Sequence, residues 1–273
     1  MTVTLTFHVP PDAGPDQVNA IFSALSFVDD GALPSTTLRE QVAAMLGKQP
    51  RGEALALARD LQLVKATPAG IRLTPRGKVV TSVAEPNDLI HGLSYFAWSA
   101  QAPERLSRLW TYRTVVDLLW EAAPVMMDPM LKKRLVEELL GRAGPVFAPT
   151  GAFDPGRTSL GPKSVDGVQS WLKQLTPAVV RDRRTERRQR CPPLLMALAL
   201  GATARQVGAE LGTDFRLGPE ERATLCRGCF LDPAALDTML EWTVQTQPHR
   251  VRWGTTNARY GRQLVLADFG PLM

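Results

Sequence analysis

The sequence predicts a mainly helical chain carrying small β-hairpins, an α+β protein. Three observations predict it. Apolar residues recur at three- and four-residue spacing through most of residues 85–142. Two stretches, around 64–73 and 250–266, read instead as paired strands about turn residues. Helix caps and breakers fall at the ends of the periodic runs. With 273 residues and 44% apolar content, the chain can bury a real core and form two or three compact units.

The elements follow in order. Val3, Leu5, Phe7 and Val9 alternate with Thr4, Thr6 and His8, as in a strand, until Pro10 and Pro11 stop it. Val18, Ile21, Phe22 and Leu25 then mark a helix from Pro15 or Asp16 to about Val28, closed by Asp29-Asp30-Gly31. Ser35 or Thr36 is the expected cap of the next helix, with Leu38, Val42 and Met45 buried. After Gly47-Lys48-Gln49-Pro50 a third helix, Arg51 to Leu61, is expected to bury Leu55, Ala58 and Leu61 or Leu57. Val64-Lys65-Ala66 and Ile71-Arg72-Leu73 pair around Thr67–Gly70, and Thr74 caps a short helix through Val80.

Helical runs are expected over Leu89–Ala100, Pro103–Glu121 and Asp128–Leu140, where Trp98, Trp110, Tyr112 and Trp120 read as core packing. Residues 143–163 are a Gly/Pro-rich loop and the best internal boundary. Ser164 is the expected cap of a helix burying Val165, Val168, Trp171, Leu172 and Leu175. Further helices are expected over Pro192–Ala209, Pro219–Cys229 and from Asp232-Pro233 to about Thr246. Arg250–Trp253 and Gln263–Leu266 close the chain as a hairpin. The expected division is 1–84, a helical middle 85–145, and a mostly helical 146–273.

Charge is unevenly spread. Of a net +5, residues 181–190 hold six arginines against Asp182 and Glu186, which leaves the rest of the chain near neutrality. Such a block is either a footprint for phosphates or an acidic partner, or a solvated surface segment.

The residues Leu38–Met45, Gly52–Leu63 and Leu73-Thr74-Pro75-Arg76-Gly77 together resemble the winged helix-turn-helix superfamily, in particular bacterial regulators of the MarR-like group. The resemblance spans about residues 15–82 and implies a helix sized for the DNA major groove. The last third, helices followed by a hairpin, can be read as a second winged-helix-like unit, although no repeat is visible in residue identity. The helix expected in the groove offers only Arg51 and Arg59 against Glu53 and Asp60, so it suits backbone contact better than base readout.

The expected function is non-enzymatic binding of nucleic acid, duplex DNA foremost, as a transcription regulator or a DNA-binding subunit of a prokaryotic nucleoprotein or defence complex. The alternative is a tandem winged-helix scaffold that grips a protein partner or a second copy. Candidate contacts in the first unit are Arg39, Lys48, Arg51, Arg59, Lys65, Arg72, Arg76 and Lys78. Lys163 at a helix start, the block Arg181, Arg183, Arg184, Arg187, Arg188 and Arg190, and the hairpin's Arg250, Arg252 and Arg259 complete the set.

Enzymatic signatures are absent from the sequence: it holds no G-x-S-x-G, P-loop, strand-linked G-x-G-x-x-G or H-E-x-x-H, and only three scattered histidines. Cys226 and Cys229 form a C-x-x-C, but zinc needs two further ligands, and Cys191 and His249 belong to no second motif. No metal or cofactor is expected. The amino-terminal stretch lacks the features of a secretory signal, and no apolar run is long enough for a membrane helix, so a cytoplasmic protein is expected.

Overall fold

The computed structural model describes residues 5, 7, 9, 14–28, 31–98, 107–151, 153–257 and 261–272. The expected strand over 3–9 lies partly outside them. Leu5, Phe7 and Val9 take no strand pairing among the described residues, and Phe7 and Val9 are buried. Phe7 packs edge-on against Phe147 at 4.8 Å and Trp110 at 6.2 Å between ring centroids.

The first part runs α1 (Pro15–Ser26), α2 (Ser35–Leu46), α3 (Gly52–Asp60), β1 (Val64–Thr67), β2 (Gly70–Leu73) and α4 (Pro75–Thr81). Ahead of α2, Leu33 bridges Ile71 through two backbone hydrogen bonds, of 2.9 and 2.7 Å, and so lies beside β2. Gly70 makes this approach possible. Its φ is +128°, and a Cβ there would sit 2.1 Å from the Leu33 carbonyl oxygen. The Leu-Thr-x-x-Gly passage does what its residue types suggest: Thr74 Oγ1 accepts the Gly77 N–H, and Gly77 lies against the Leu63 backbone with no room for a side chain.

Three details of this part differ from expectation. Pro34, not Ser35 or Thr36, occupies the N-cap of α2, and no side chain caps it. Met45 is exposed, since α2 turns only Leu38 and Val42 fully inward. Leu55 is half-buried, while Ala54, Leu57 and Ala58 face the core.

The middle comprises α5 (Pro86–Phe96), α6 (Ser107–Ala122), β3 (Val125–Met126), α7 (Pro129–Phe147) and α8 (Pro162–Leu172). α5 is buried on every side from Asp88 to Tyr95, the signature of a central helix. Gly92 lets Leu195 and Leu198 close upon it. α7 continues past Leu140 to Phe147, through Gly141, Gly144 and Pro145. Burial of Ala143 and Phe147 outweighs that punctuation, so the expected loop begins later than position 143. Ser164 is buried within the first turn of α8, whose N-cap is Gly161.

β4 (Val180–Arg181) and β5 (Arg184–Thr185) form a two-residue hairpin, and β3 pairs with the other side of β5. The last part runs α9 (Pro193–Gln206), β6 (Asp214–Phe215), α10 (Pro219–Gly228), α11 (Leu236–Thr246), β7 (Val251–Asn257) and β8 (Gly261–Leu266). Asp232 accepts the Ala234 N–H ahead of α11, as its N-cap sequence suggests. Its sheet order is β6-β8-β7. Helix, short strand, helix, helix, strand, strand thus occurs twice, the first strand each time lying beside the last. In the amino-terminal copy that first strand has shrunk to the Leu33 bridge.

Candidate nucleic-acid interface

Both basic hairpins set cations opposite one another. In the first, Lys65 is the registered partner of Arg72. In the second, Arg181 is the partner of Arg184, and Met126 lies on the other side of Arg184. Registered residues of an antiparallel pair share a sheet face, and like charges so placed repel. Lys65, Arg181 and Arg184 are exposed, and Arg72 is half-buried with its Nε shut off from solvent and without a hydrogen-bond partner. Among the described residues, only Arg184 of these four has a carboxylate in contact, Glu186 at 2.6 Å.

The turn of the second hairpin is strained. Asp182 and Arg183 both hold positive φ, at 47° and 63°. A two-residue turn of this hand favours Asn-Gly or Asp-Gly. Arginine gives up about 1–2 kcal/mol there through its Cβ. The chain thus carries a cation at a position where its backbone favours glycine.

The arginine block divides in space. Arg181, Arg183, Arg184 and Arg190 are exposed. Arg187 lies over the Trp120 ring at 4.3 Å and donates to the Trp120 carbonyl at 3.0 Å. Arg188 is a correction to the expected interface. Its side chain is 1% exposed and pairs at 2.6 Å with Asp88, itself 1% exposed. It also donates to the carbonyls of Cys229 at 2.7 Å and Thr176 at 3.2 Å. Its backbone pairs with residues 230–232, which turns the side chain inward. Burial raises the Asp88 carboxyl above the ordinary range, against the opposing pull of Arg188 and the Thr176 N–H.

Arg76 is a second correction. It donates to the carbonyl of Pro271 at 3.0 Å, which ties α4 to the turn at 270–272, and to that of Leu61 at 3.2 Å, at the end of α3. Burial and the nearby Arg205 lower its guanidinium from the ordinary value. Arg250 is half-buried and donates to Gln247 at 2.8 Å. Arg252, Lys163, Lys48 and Lys78 are exposed, and Arg259 lies outside the described residues.

On the first unit, Arg39, Arg51 and Arg59 rim a cleft of about 280 Å³ between α2 and α3, floored by Leu38, Val42 and Leu55. Asp60, which the sequence sets against these cations, is engaged by Arg108 at 2.6 Å. The corresponding helix of the last part differs. α11 shows Asp237, Glu241 and Trp242 outward and contains no Lys or Arg. Asp237 pairs with Arg222, and Glu241 accepts from Arg262 at 2.8 Å and from Trp253 Nε1 at 3.0 Å. Arg262 also lies over the Trp253 ring at 4.0 Å, so this cation of the last hairpin faces its own domain. Sequence reading missed the ion pairs of Arg108 and Arg262 because their partners are distant along the chain.

Cys191, Cys226 and Cys229 are buried free thiols. The hydrogen bond it donates to Cys191, then burial, push the Cys229 thiol well up. Among the described residues no group of three His, Cys, Asp or Glu is placed to hold a metal ion, and no helix is long and apolar enough to cross a membrane. His91 is fully buried against Tyr112, with Nδ1 2.8 Å from the phenol oxygen, and burial, then the charge of Arg188, hold its imidazole down to about 3. No protein-family model, no curated protein and no solved structure matches the chain.

Proposed function

We propose that the protein binds nucleic acid without catalysing a reaction, with duplex DNA as the first target, through phosphate contacts from its basic hairpins. The observation that carries this reading is the pair of registered cation–cation partners, Lys65 with Arg72 and Arg181 with Arg184. Each sets two like charges on one sheet face, a repulsion that a phosphate between them relieves, although in the second Glu186 already meets Arg184. The duplicated order of helices and strands supports a tandem winged-helix reading, in which hairpins are wings and α3 faces the groove. Arg39, Arg51 and Arg59 then add backbone contacts beside α3.

Salt dependence tests it. Each neutralised phosphate contributes about −0.9 to the slope of log K against log salt, so the four paired cations give a slope of roughly −3 to −4. R181Q/R184Q should lower its magnitude by about 2 and weaken binding uniformly across sequences. An unaltered slope in that variant removes the second hairpin from the interface. Absence of binding to random duplex at low salt removes the reading.

A second role is favoured by one observation, the outward face of α11. It offers phosphate no unpaired cation, since Arg222 and Arg262 are held by Asp237 and Glu241, and its 39%-exposed Trp242 suits a protein partner. On this reading the last part docks on another subunit while the first unit and the 181–184 hairpin hold nucleic acid. Loss of a co-purifying subunit on W242A, with duplex affinity unchanged, is the result expected.

A further inference from the structure

A cleft of about 460 Å³ lies beside the second hairpin, within the size range that takes a small organic ligand. Met126, Pro177 and Val179 supply apolar lining, and Met126 is exposed. Four arginines line the cleft as well, and they are not equivalent. Two are held by the protein itself. Arg187 lies over the Trp120 ring and donates its Nε to the Trp120 carbonyl at 3.0 Å. Arg188 is locked to Asp88, and its Nη2 is shut off from solvent with no hydrogen-bond partner among the described residues. Of the exposed two, Arg184 meets Glu186, whereas Arg181 meets no carboxylate among the described residues. Asp182, exposed at the turn, is the acid that opposes them.

Guanidinium forks suit phosphate oxygens, and an arginine already held in place loses less freedom on binding one. A diester within a strand carries one charge and two free oxygens. A terminal phosphate carries about −1.5 to −2 and three free oxygens, so it engages more of these donors at once. The adjoining sugar and base then meet the apolar lining at Met126, Pro177 and Val179. We infer that this cleft takes the terminal phosphate monoester of a nucleotide, with Arg181 and Arg187 as its contacts. A strand end and a free mononucleotide share that chemistry. For a strand end the inference rests on the nucleic-acid reading above and deepens it: the second hairpin engages phosphorylated ends, not only the continuous backbone.

The test is fluorescence anisotropy on the full chain at low salt, together with calorimetry on adenosine 5′-monophosphate. The anisotropy probe is an internally labelled mixed-sequence duplex whose ends carry 5′-phosphates, 3′-phosphates or hydroxyls only. Phosphate at one kind of end should tighten binding about tenfold, the gain expected for one added charge-assisted contact. R181Q should abolish that gain. D182N should enlarge it about threefold by removing the opposing charge, and asparagine tolerates the positive φ of that position. End discrimination that the nucleotide erases identifies strand ends as the source. Nucleotide binding that R181Q abolishes, without end discrimination, identifies the free nucleotide; either result supports the inference. Equal affinity for all three duplexes with no nucleotide binding overturns it and leaves the nucleic-acid reading standing. A gain, or a nucleotide affinity, that R181Q leaves unchanged overturns it too. Binding of neither duplex nor nucleotide overturns both. Arg181 and Asp182 are exposed, so both variants leave the core intact.

Discussion

Arg188→Met is the substitution whose outcome the structure fixes most firmly. The guanidinium is 1% exposed and its Asp88 partner equally so, 2.6 Å away. Methionine keeps much of the stem's volume but removes the charge. What remains is a buried carboxylate held by Thr176, through its N–H at 2.9 Å and its hydroxyl, together with the Cys229 and Thr176 carbonyls stripped of a donor. Breaking one side of a buried pair costs about 3–5 kcal/mol, where a surface pair costs about 0–1. At about 2–4 °C per kcal/mol for a chain of this size, the unfolding midpoint should fall by roughly 6–20 °C. Urea titration and calorimetry measure it, with R181Q as the exposed control. D88N/R188M should recover most of the loss, because no uncompensated charge is left. The deficit of R188M should also shrink on acidification, since the orphaned carboxyl escapes by taking a proton and its folded-state affinity for that proton lies above the ordinary 3.8. A midpoint for R188M equal to that of the wild type would refute the reasoning and return Arg188 to the solvent-facing block.

Three further outcomes are expected. His91 has a folded-state value of about 3 against an ordinary 6.5, so its contribution is present above 6.5 and lost as pH falls toward 3. That amounts to about 2 kcal/mol between pH 7 and pH 5, a loss that H91Q should remove from the pH–stability curve. Gly70→Ala should cost about 1–3 kcal/mol and speed amide exchange at Leu33 and Ile71, given the +128° φ and the 2.1 Å approach to the Leu33 carbonyl. Arg183→Gly should relieve the positive-φ strain, raising stability by about 1 kcal/mol while weakening nucleic-acid binding; a gain in stability with unchanged affinity would mark the turn as merely strained.

Local chemistry made much of the first unit legible. Thr74 caps α4, Gly77 sits where no side chain fits, and Val64–Thr67 pairs with Gly70–Leu73 about a two-residue turn. These are short-range determinants, and residue type alone signals them. The failures share the opposite cause. α7 runs through Gly141, Gly144 and Pro145 because Phe147 reaches a ring cluster with Phe7 and Trp110, contacts from far along the chain. Ser164 looks like a cap, yet Gly161 starts the helix three residues earlier. Charge density could not tell Arg188 from Arg183: its neutralising partner lies 100 residues away, on a helix whose buried Asp88 resembles any first-turn acid in sequence.

The two similar arrangements differ where a binding function would make them differ. In the first, Asp60, the acid that opposes α3's arginines, is taken up by Arg108 from outside the unit, and Arg59 stays exposed on that face. In the last, Arg222 and Arg262 pair at the surface with Asp237 and Glu241 of α11, beside an exposed tryptophan. Packing alone gives no reason for opposite outcomes on equivalent helices, since both satisfy their charges with similar ion pairs. The division of labour proposed above would give one, an amino-terminal surface for phosphate and a carboxy-terminal surface for protein. The strained Arg183 and the registered cation pairs fall on the hairpins at 64–73 and 180–185, whereas the described cations of the last hairpin include one, Arg262, folded back onto its own domain. The electrostatic cost therefore concentrates where phosphate contact is proposed and is relieved where it is not.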